Sequence, residues 1–283
     1  MKTSNKLLIA FGLALILIPI VTIAFVSRVY FEKGTYSNKK EVHDTFGALP
    51  KDMEAIAIGK AFNTVNIEGN NQVHLVIKLV EDKTYGVKFS NEFKGLVSAS
   101  VDESGQLRIV LQKAQKENVN FARISVYGMG ITKVAVNNGR GISLTAKTDS
   151  LDLKLSNTGS AHFDPDANIG KLTITTEHVD DITFRETATK SVFLNLNGTN
   201  VRSDMSSFDQ LSIYAAGKSK IELNGGYGDR IEKVIKHLTL NTLGNAEVKI
   251  FNMQVDNCSG RFSDSTKVEM PAVNINQMYK TKK

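Results

Sequence analysis

Six aspartates are the residues of this chain whose type and spacing could do chemistry: Asp149 with Asp152, Asp164 with Asp166, and Asp180 with Asp181. Two carboxyls held about 5–10 Å apart around a sugar can hydrolyse a glycosidic bond, one as acid and the other as base or nucleophile. The same residues also make turns. Asp164-Pro165-Asp166 has the composition of a corner, because Pro presets φ and Asp hydrogen-bonds its own backbone, and Asp180-Asp181 falls where neighbouring segments turn. Asp164, Asp166 and Asp180 are the candidates for calcium, an oxygen-ligated ion. The nonapeptide calcium repeat is absent, however.

Five histidines, His43, His74, His162, His178 and His237, show no close ligand spacing. His162 and His178 could approach each other across adjacent segments, but neither has a cysteine partner or an acidic cluster beside it, so no zinc site is expected. Cys258 is the only cysteine, which excludes an intramolecular disulfide. It reads as a small buried side chain. No phosphate-cradling Gly-Lys-Ser/Thr loop and no Gly-x-Ser-x-Gly elbow occurs. Trp is absent, and Tyr127, Tyr214 and Tyr227 are the candidates for a glycan-contacting face. These residues supply no catalytic, cofactor-binding or metal-binding set. The expectation is a non-enzymatic chain, with a polysaccharide lyase or glycosidase as the alternative.

The elements that would carry these residues begin at Leu7 to Val26, an uncharged run rich in Leu, Ile, Ala and Val. A helix of about 20 apolar residues spans a bilayer core of about 30 Å. No Ala-x-Ala-like cleavage site follows and no lipid-anchor cysteine is near, so residues 1–27 read as a membrane anchor. The flanking charges, Lys2 and Lys6 before the run and Arg28, Lys33, Lys39 and Lys40 after it, do not orient it. The formal net charge is +6. The first 34 residues and the tail Lys280, Lys282 and Lys283 hold all of it, leaving 35–279 balanced. Nucleic-acid binding needs a clustered basic surface and is not expected.

Residues 28–60, broken by Gly34, Gly47, Pro50 and Gly59, read as a stalk, with Phe46-Gly47-Ala48-Leu49-Pro50 able to dock on the body or the membrane. From Phe62 on, apolar and polar residues alternate, as in Val73-His-Leu75-Val-Ile77-Lys-Leu79 and Leu107-Arg-Ile109-Val-Leu111. That period means strands with one face inward. This first part is compatible with antiparallel hairpins. Further on, strand starts recur at Leu151, Leu172, Phe193, Leu211 and Leu238, at steps of 21, 21, 18 and 27. A repeat near 20 residues is the length of one coil of a β-solenoid, and residues 61–279 allow about ten or eleven coils.

Three coils share Gly four places after a strand residue and a small residue six places after it: Leu155 with Gly159 and Ala161, Ile213 with Gly217 and Ser219, and Leu240 with Gly244 and Ala246. The long step before Leu238 holds Gly225-Gly-Tyr-Gly228 and then Asp229 to His237, where Ile231, Val234 and Ile235 have helical spacing.

On these residues the chain resembles the head GIN domain (auto-transporter adhesin) family of bacterial envelope proteins, common in Bacteroidetes. The resemblance covers about residues 61–270 and rests on Phe62-Asn-Thr-Val65-Asn-Ile67-Glu-Gly69, Asp102-Glu-Ser-Gly105-Gln-Leu107-Arg-Ile109, and Ile131-Thr-Lys-Val134-Ala-Val136-Asn-Asn-Gly139-Arg-Gly141. It implies a right-handed parallel β-helix beyond the cytoplasmic membrane and brings no catalytic residues. The expected chain is thus a bacterial single-pass membrane protein with an anchor over 1–27, a stalk over 28–60, an all-β solenoid over 61–279 and a basic tail over 280–283. Its body, periplasmic or extracellular, is expected to bind glycan or an envelope protein as an adhesin does. A self-associating envelope scaffold is the other alternative, and the oligomeric state is open.

Overall fold

The computed structural model describes residues 44–113, 119–163, 165–187, 189–226 and 233–280, with Phe11, Gly12, Leu15, Leu17–Ile20, Thr22 and Ile23. The chain forms two compact units, Met1–Asp44 and Thr45–Lys283. In the first, the described residues between 11 and 23 are helical and exposed. Among the described residues no helix is long and apolar enough to cross a membrane, and the rest of the Leu7–Val26 run lies outside them.

The second unit is mostly β, its strands joined in one large mixed and mainly parallel sheet. In chain order they are β1 (Met53–Ala57), β2 (Thr64–Glu68), β3 (His74–Glu81), β4 (Gly86–Ser90), β5 (Val97–Val101), β6 (Gln106–Leu111), β7 (Phe121–Gly128), β8 (Lys133–Phe163) and β9 (Asn168–Arg185). Then come β10 (Ser191–Asn197), β11 (Asn200–Asp204), β12 (Phe208–Ala216), β13 (Ser219–Asn224), β14 (Val234–Leu243), β15 (Ala246–Phe251), β16 (Gln254–Arg261), β17 (Lys267–Glu269) and a helix, Ala272–Tyr279.

Two parallel ladders run through the unit. In the first, Leu151 pairs with Leu172, Leu172 with Val192, Val192 with Leu211, Leu211 with Leu238 and Leu238 with Cys258. In the second, Ala161 pairs with Ile182, then Val201, Ile221, Val248 and Val268. Side chains in a strand alternate between faces, so every second residue enters the core. Stacking puts like on like: Leu153, Ile174, Leu194, Ile213 and Leu240 form one buried column. One rung buries too little surface to offset its chain entropy, and stacked rungs share one core.

The repeat was legible but slipped at one rung. Val192, not Phe193, lies in the inward column, and Phe193 faces outward. The steps are therefore 21, 20, 19, 27 and then 20 to Cys258.

The corner between the two ladders is a column of left-handed residues: Asn138, Asn157, His178, Gly198, Gly217 and Gly244, with φ of 59°, 50°, 55°, 66°, 73° and 128°. The chain bends at these residues, and Gly, Asn and His are among those that tolerate positive φ. Gly159, expected in this set, lies elsewhere; it lets the neighbouring segment close, since a Cβ there would meet the Arg140 carbonyl oxygen at 2.2 Å.

The first part of the unit is stacked out of chain order. β2 lies between β6 and the start of β8, and β3 between β7 and residues 141–146, all parallel. Only the covering strands are antiparallel: β1 on β4, β4 on β7, and β5 on β6. From one end the levels are β6–β7, β2–β3, the first and second halves of β8, β9, β10–β11, β12–β13, β14–β15 and β16–β17. Among the described residues that makes nine, fewer than the expected ten or eleven. The covering strands and the 27-residue step use the difference. Val234 and Ile235, expected on helical turns, belong to β14; residues 227–232 lie outside the described ones.

Strands and a helix lie over parts of both ends of the stack. At the last level, Asn274 Nδ2 donates to the Val255 carbonyl (3.2 Å), Gln277 Nε2 to that of Asp256 (2.9 Å), and Gln277 Oε1 accepts from the Cys258 N–H (2.8 Å). These amides occupy strand-edge groups that would otherwise template another chain. At the first level β4, β5 and β1 do the same work.

The expected stalk ends sooner than residue 60. Lys88, 1 % exposed, donates Nζ to the carbonyls of Thr45 (2.7 Å) and Ala48 (2.6 Å) and lies over the Tyr127 ring at 4.5 Å. The Phe46 N–H donates to Asp82 Oδ2 (2.8 Å), and the Phe46 ring packs edge-on against Tyr127. Gly86 makes room, since a Cβ there would lie 2.2 Å from Phe46. A buried ammonium needs such partners, so residues 45–57 belong to the folded body.

Ser203 breaks the inward column that runs Phe163, Phe184, Ser203, Leu223, Ile250. Its buried hydroxyl has no hydrogen-bond partner among the described residues. Ser203→Ala removes an unsatisfied polar atom and is expected to stabilise the fold by about 1 kcal/mol. A rise in the urea midpoint checks this, and an equal fall would mean that the hydroxyl is bonded.

Candidate functional site

The structure separates the candidate carboxylates. Asp152 projects from the first ladder, opposite Thr173. Asp181 projects from the second, between Ser160 and Asn200, and accepts from Thr183 Oγ1 at 3.3 Å. The left-handed corner lies between these columns. Asp180 is exposed above Gly159, Asp149 is exposed with its carbonyl against Gly170, and Asp166 is exposed in a turn. Asp164 lies outside the described residues. Among the described residues no group of three or more His, Cys, Asp or Glu is arranged to hold a metal.

The histidines pair differently from expectation. His162 stacks on His74, with ring centroids 6.0 Å apart, and not on His178, which serves the corner. His74 Nε2 lies 2.9 Å from Ser143 Oγ, and His162 Nε2 lies 3.1 Å from Ser160 Oγ. Gly141, in the rung between them, leaves the space: its Cβ would lie 2.7 Å from His74 Nδ1. His237 is exposed on β14, and His43 is outside the described residues.

Cys258 closes the first inward column, 5 % exposed, and burial pushes its thiol up to about 11. Its neutral form is thus favoured by folding. That contribution is complete below pH 9.0, the ordinary thiol value, and is lost as the pH rises through about 11. At neutral pH the thiolate fraction is about a hundredfold below that of an ordinary thiol. Iodoacetamide is expected to label native Cys258 about a hundred times more slowly than the urea-unfolded chain; equal rates would contradict the burial.

The outer surface of the first ladder is more informative. One outward column reads Thr64, Lys133, Asp152, Thr173, Phe193, Ser212, Thr239, Ser259. Its neighbour reads Asn66, Ala135, Lys154, Thr175, Asn195, Tyr214, Asn241, Arg261. This face carries two shallow depressions. One, about 210 Å³, opens over Ala135, whose small side chain leaves a pit bounded by Asn66, Glu68, Arg108 and Lys154. Glu68 is held there by Asn137 Nδ2 (3.0 Å) and Asn138.

The other depression, about 220 Å³, lies between Phe193 and Tyr214 over Thr173, Asn195, Ser212 and Asn241. Tyr214 is 43 % exposed, as befits a contact residue. Tyr127 is not one, being buried under Lys88, and Tyr227 is outside the described residues. In the sequence Phe193 figures only as a strand start, which says nothing of its outward direction. The signal was present in Val192-x-Leu194-x-Leu196, which claims the inward positions and leaves Phe193 with Asn195 outside.

The second ladder instead wears alternating charge. Lys220 pairs with Glu222 (2.7 Å), and Lys249 pairs with Glu247 (3.1 Å) and Glu269 (3.6 Å). Those neighbours lower the Glu247 carboxyl and raise the Lys249 ammonium, chiefly through their mutual hydrogen bond.

The class so defined is a mostly β protein with a largely parallel stacked sheet and long outward polar faces. No protein-family model and no curated protein matches the sequence. Among solved structures it is similar to a putative adhesin of Bacteroides fragilis, at 13% identity over 76% of this chain and 92% of that one, TM-score 0.44. A putative adhesin of Parabacteroides merdae and a putative lipid binding protein of Parabacteroides distasonis are each 12% identical over 77% of this chain and 92% of theirs, TM-score 0.40. At these identities neither activity nor ligand transfers from them.

Proposed function

We propose that this chain is a non-enzymatic, membrane-anchored, extracytoplasmic protein of adhesin type that binds envelope or extracellular polymer through one face of a right-handed parallel β-solenoid. The observation that carries this reading is that two shallow depressions lie on the outer surface of the first ladder; a third, about 580 Å³, opens beside the C-terminal helix, lined by Val273, Gln277 and Tyr279. A flat, ordered row of short polar side chains suits an extended partner running across several rungs. The pairing steps near 20 residues support the solenoid, and parallel crossovers are right-handed in about 98% of cases. The length and composition of Leu7–Val26 support the anchor. The helix amides on β16 favour binding by a lateral face over end-to-end assembly through that strand, and carboxylates dispersed over separate columns favour binding over hydrolysis.

The test is co-sedimentation of the full chain with isolated peptidoglycan sacculi and with insoluble neutral polysaccharide. Thr175→Arg with Thr239→Arg, on the first-ladder face, is expected to abolish capture. Thr183→Arg with Asn200→Arg, on the second, is expected to leave it intact. No capture by the parent chain, or equal loss from both pairs of substitutions, would sink the reading.

A further inference from the structure

We propose that Phe193 and Tyr214 form a stacking platform for pyranose rings, and that the site takes the interior of a neutral, extended glycan chain with Asn195 and Asn241 reading its hydroxyls. The inference rests on the first-ladder face being the one that meets ligand, and it names the place and the ligand class.

Phe193 is not needed by the core. Val192, Leu194 and Leu196 fill the inward positions of β10, and the outward column holding Phe193 is otherwise Thr, Ser, Asp and Lys. Tyr214 lies on the next rung and two residues further along, since Phe193 pairs with Ser212 and Asn195 with Tyr214. The Cα atoms of Phe193 and Tyr214 are therefore offset by about 4.8 Å across the sheet and about 6.6 Å along it. Lys171 Nζ sits 5.1 Å from the Phe193 ring centroid, at the edge of the depression.

A pyranose ring has apolar C–H faces and a hydroxylated rim. Aromatic rings present a negative face to such polarised hydrogens and bury large area with few rotamers to freeze. An asparagine amide offers donor and acceptor side by side, the complement of neighbouring hydroxyls. Thr173 and Ser212 add hydroxyls, and the residues lining the depression are neutral, with Lys171 at its edge lying over the Phe193 ring, so the lining suits a neutral sugar. The depression is open along the face, so it accepts the middle of a chain. A second copy of this chain would need a continuous apolar patch, and these two rings are surrounded by polar side chains.

The full chain, held in a detergent without a sugar headgroup, would be titrated calorimetrically with β-1,4-linked hexasaccharides of glucose and of N-acetylglucosamine, with oligogalacturonate as the anionic control. At least one neutral hexasaccharide is expected to bind at micromolar to millimolar Kd. Phe193→Ala or Tyr214→Ala should weaken it at least tenfold, and Phe193→Trp should preserve it, with the thermal midpoint unchanged in each. Unaltered affinity in the double alanine variant would overturn the platform while leaving the face reading, tested by the arginine pairs, intact. Binding of the anionic oligomer alone, or of neither neutral one, would overturn the ligand class. A dimer that the double variant converts to monomer would reassign the platform to an interface between copies.

Discussion

Ile213→Ala is expected to lower the unfolding free energy by about 2–5 kcal/mol, the range for emptying a well-packed aliphatic site. Ile213 is 1 % exposed in the middle of the column between Leu194 and Leu240. Fixed backbone pairing on both sides prevents the neighbours from closing the gap. A domain of this kind holds about 5–15 kcal/mol in total, so one substitution removes a large share. Because each rung contacts only its neighbours, the lesion weakens two interfaces at once. Urea unfolding followed by circular dichroism reads the loss. Tyr214→Ala, one residue along but pointing outward, is expected to change stability by less than about 0.5 kcal/mol. Equal effects at the two positions would refute the assignment of inside and outside.

Gly260→Ala is expected to cost about 3 kcal/mol or more, despite adding a single methyl group. Gly260 pairs with Leu240 and has φ of 129°, a conformation that L side chains rarely adopt. A Cβ there would lie 1.9 Å from the Leu240 carbonyl oxygen and 2.6 Å from its carbon. These are backbone atoms in a paired strand, so β16 itself must move. Movement breaks ladder hydrogen bonds and loosens the amides that Gln277 and Asn274 place on β16. Cys258 lies two residues away, and its labelling by iodoacetamide in the folded variant is expected to accelerate at least tenfold. A variant with wild-type stability and an unreactive thiol would show that the close approach at Gly260 is not required.

Neither effect could be assigned from the sequence alone. Leu211-Ser-Ile213 announces an inward Ile by alternation, but its column partners depend on register. A period-two pattern looks the same for every partner strand that shares it. The slip at Phe193 shows the consequence: two adjacent apolar residues, Val192 and Phe193, both fit as markers, and only the neighbouring rungs decide which is inside. That one-residue choice conceals the partner of Tyr214, a residue the sequence offers as a candidate for a glycan-contacting face. The Gly-x-small pattern likewise located Gly217 and Gly244 at a corner but could not reveal that Asn138, Asn157 and His178 do the same backbone work, because positive φ is not confined to one residue type.

By itself, the amino-acid order determined the strand-rich character, the repeat length, the inward aliphatic positions away from residue 193 and the impossibility of an internal disulfide. Those depend on side-chain chemistry and local periodicity, which are written residue by residue. Tertiary structure alone decided the stacking order that slips β2 and β3 between later strands, the burial of Lys88 over residues 45–48, the meeting of His74 with His162, and the pairing of Phe193 with Tyr214 on one face. Each of these brings together segments distant in the chain, where many strands of similar pattern compete for the same neighbour. Close packing of the shared core picks one arrangement among them.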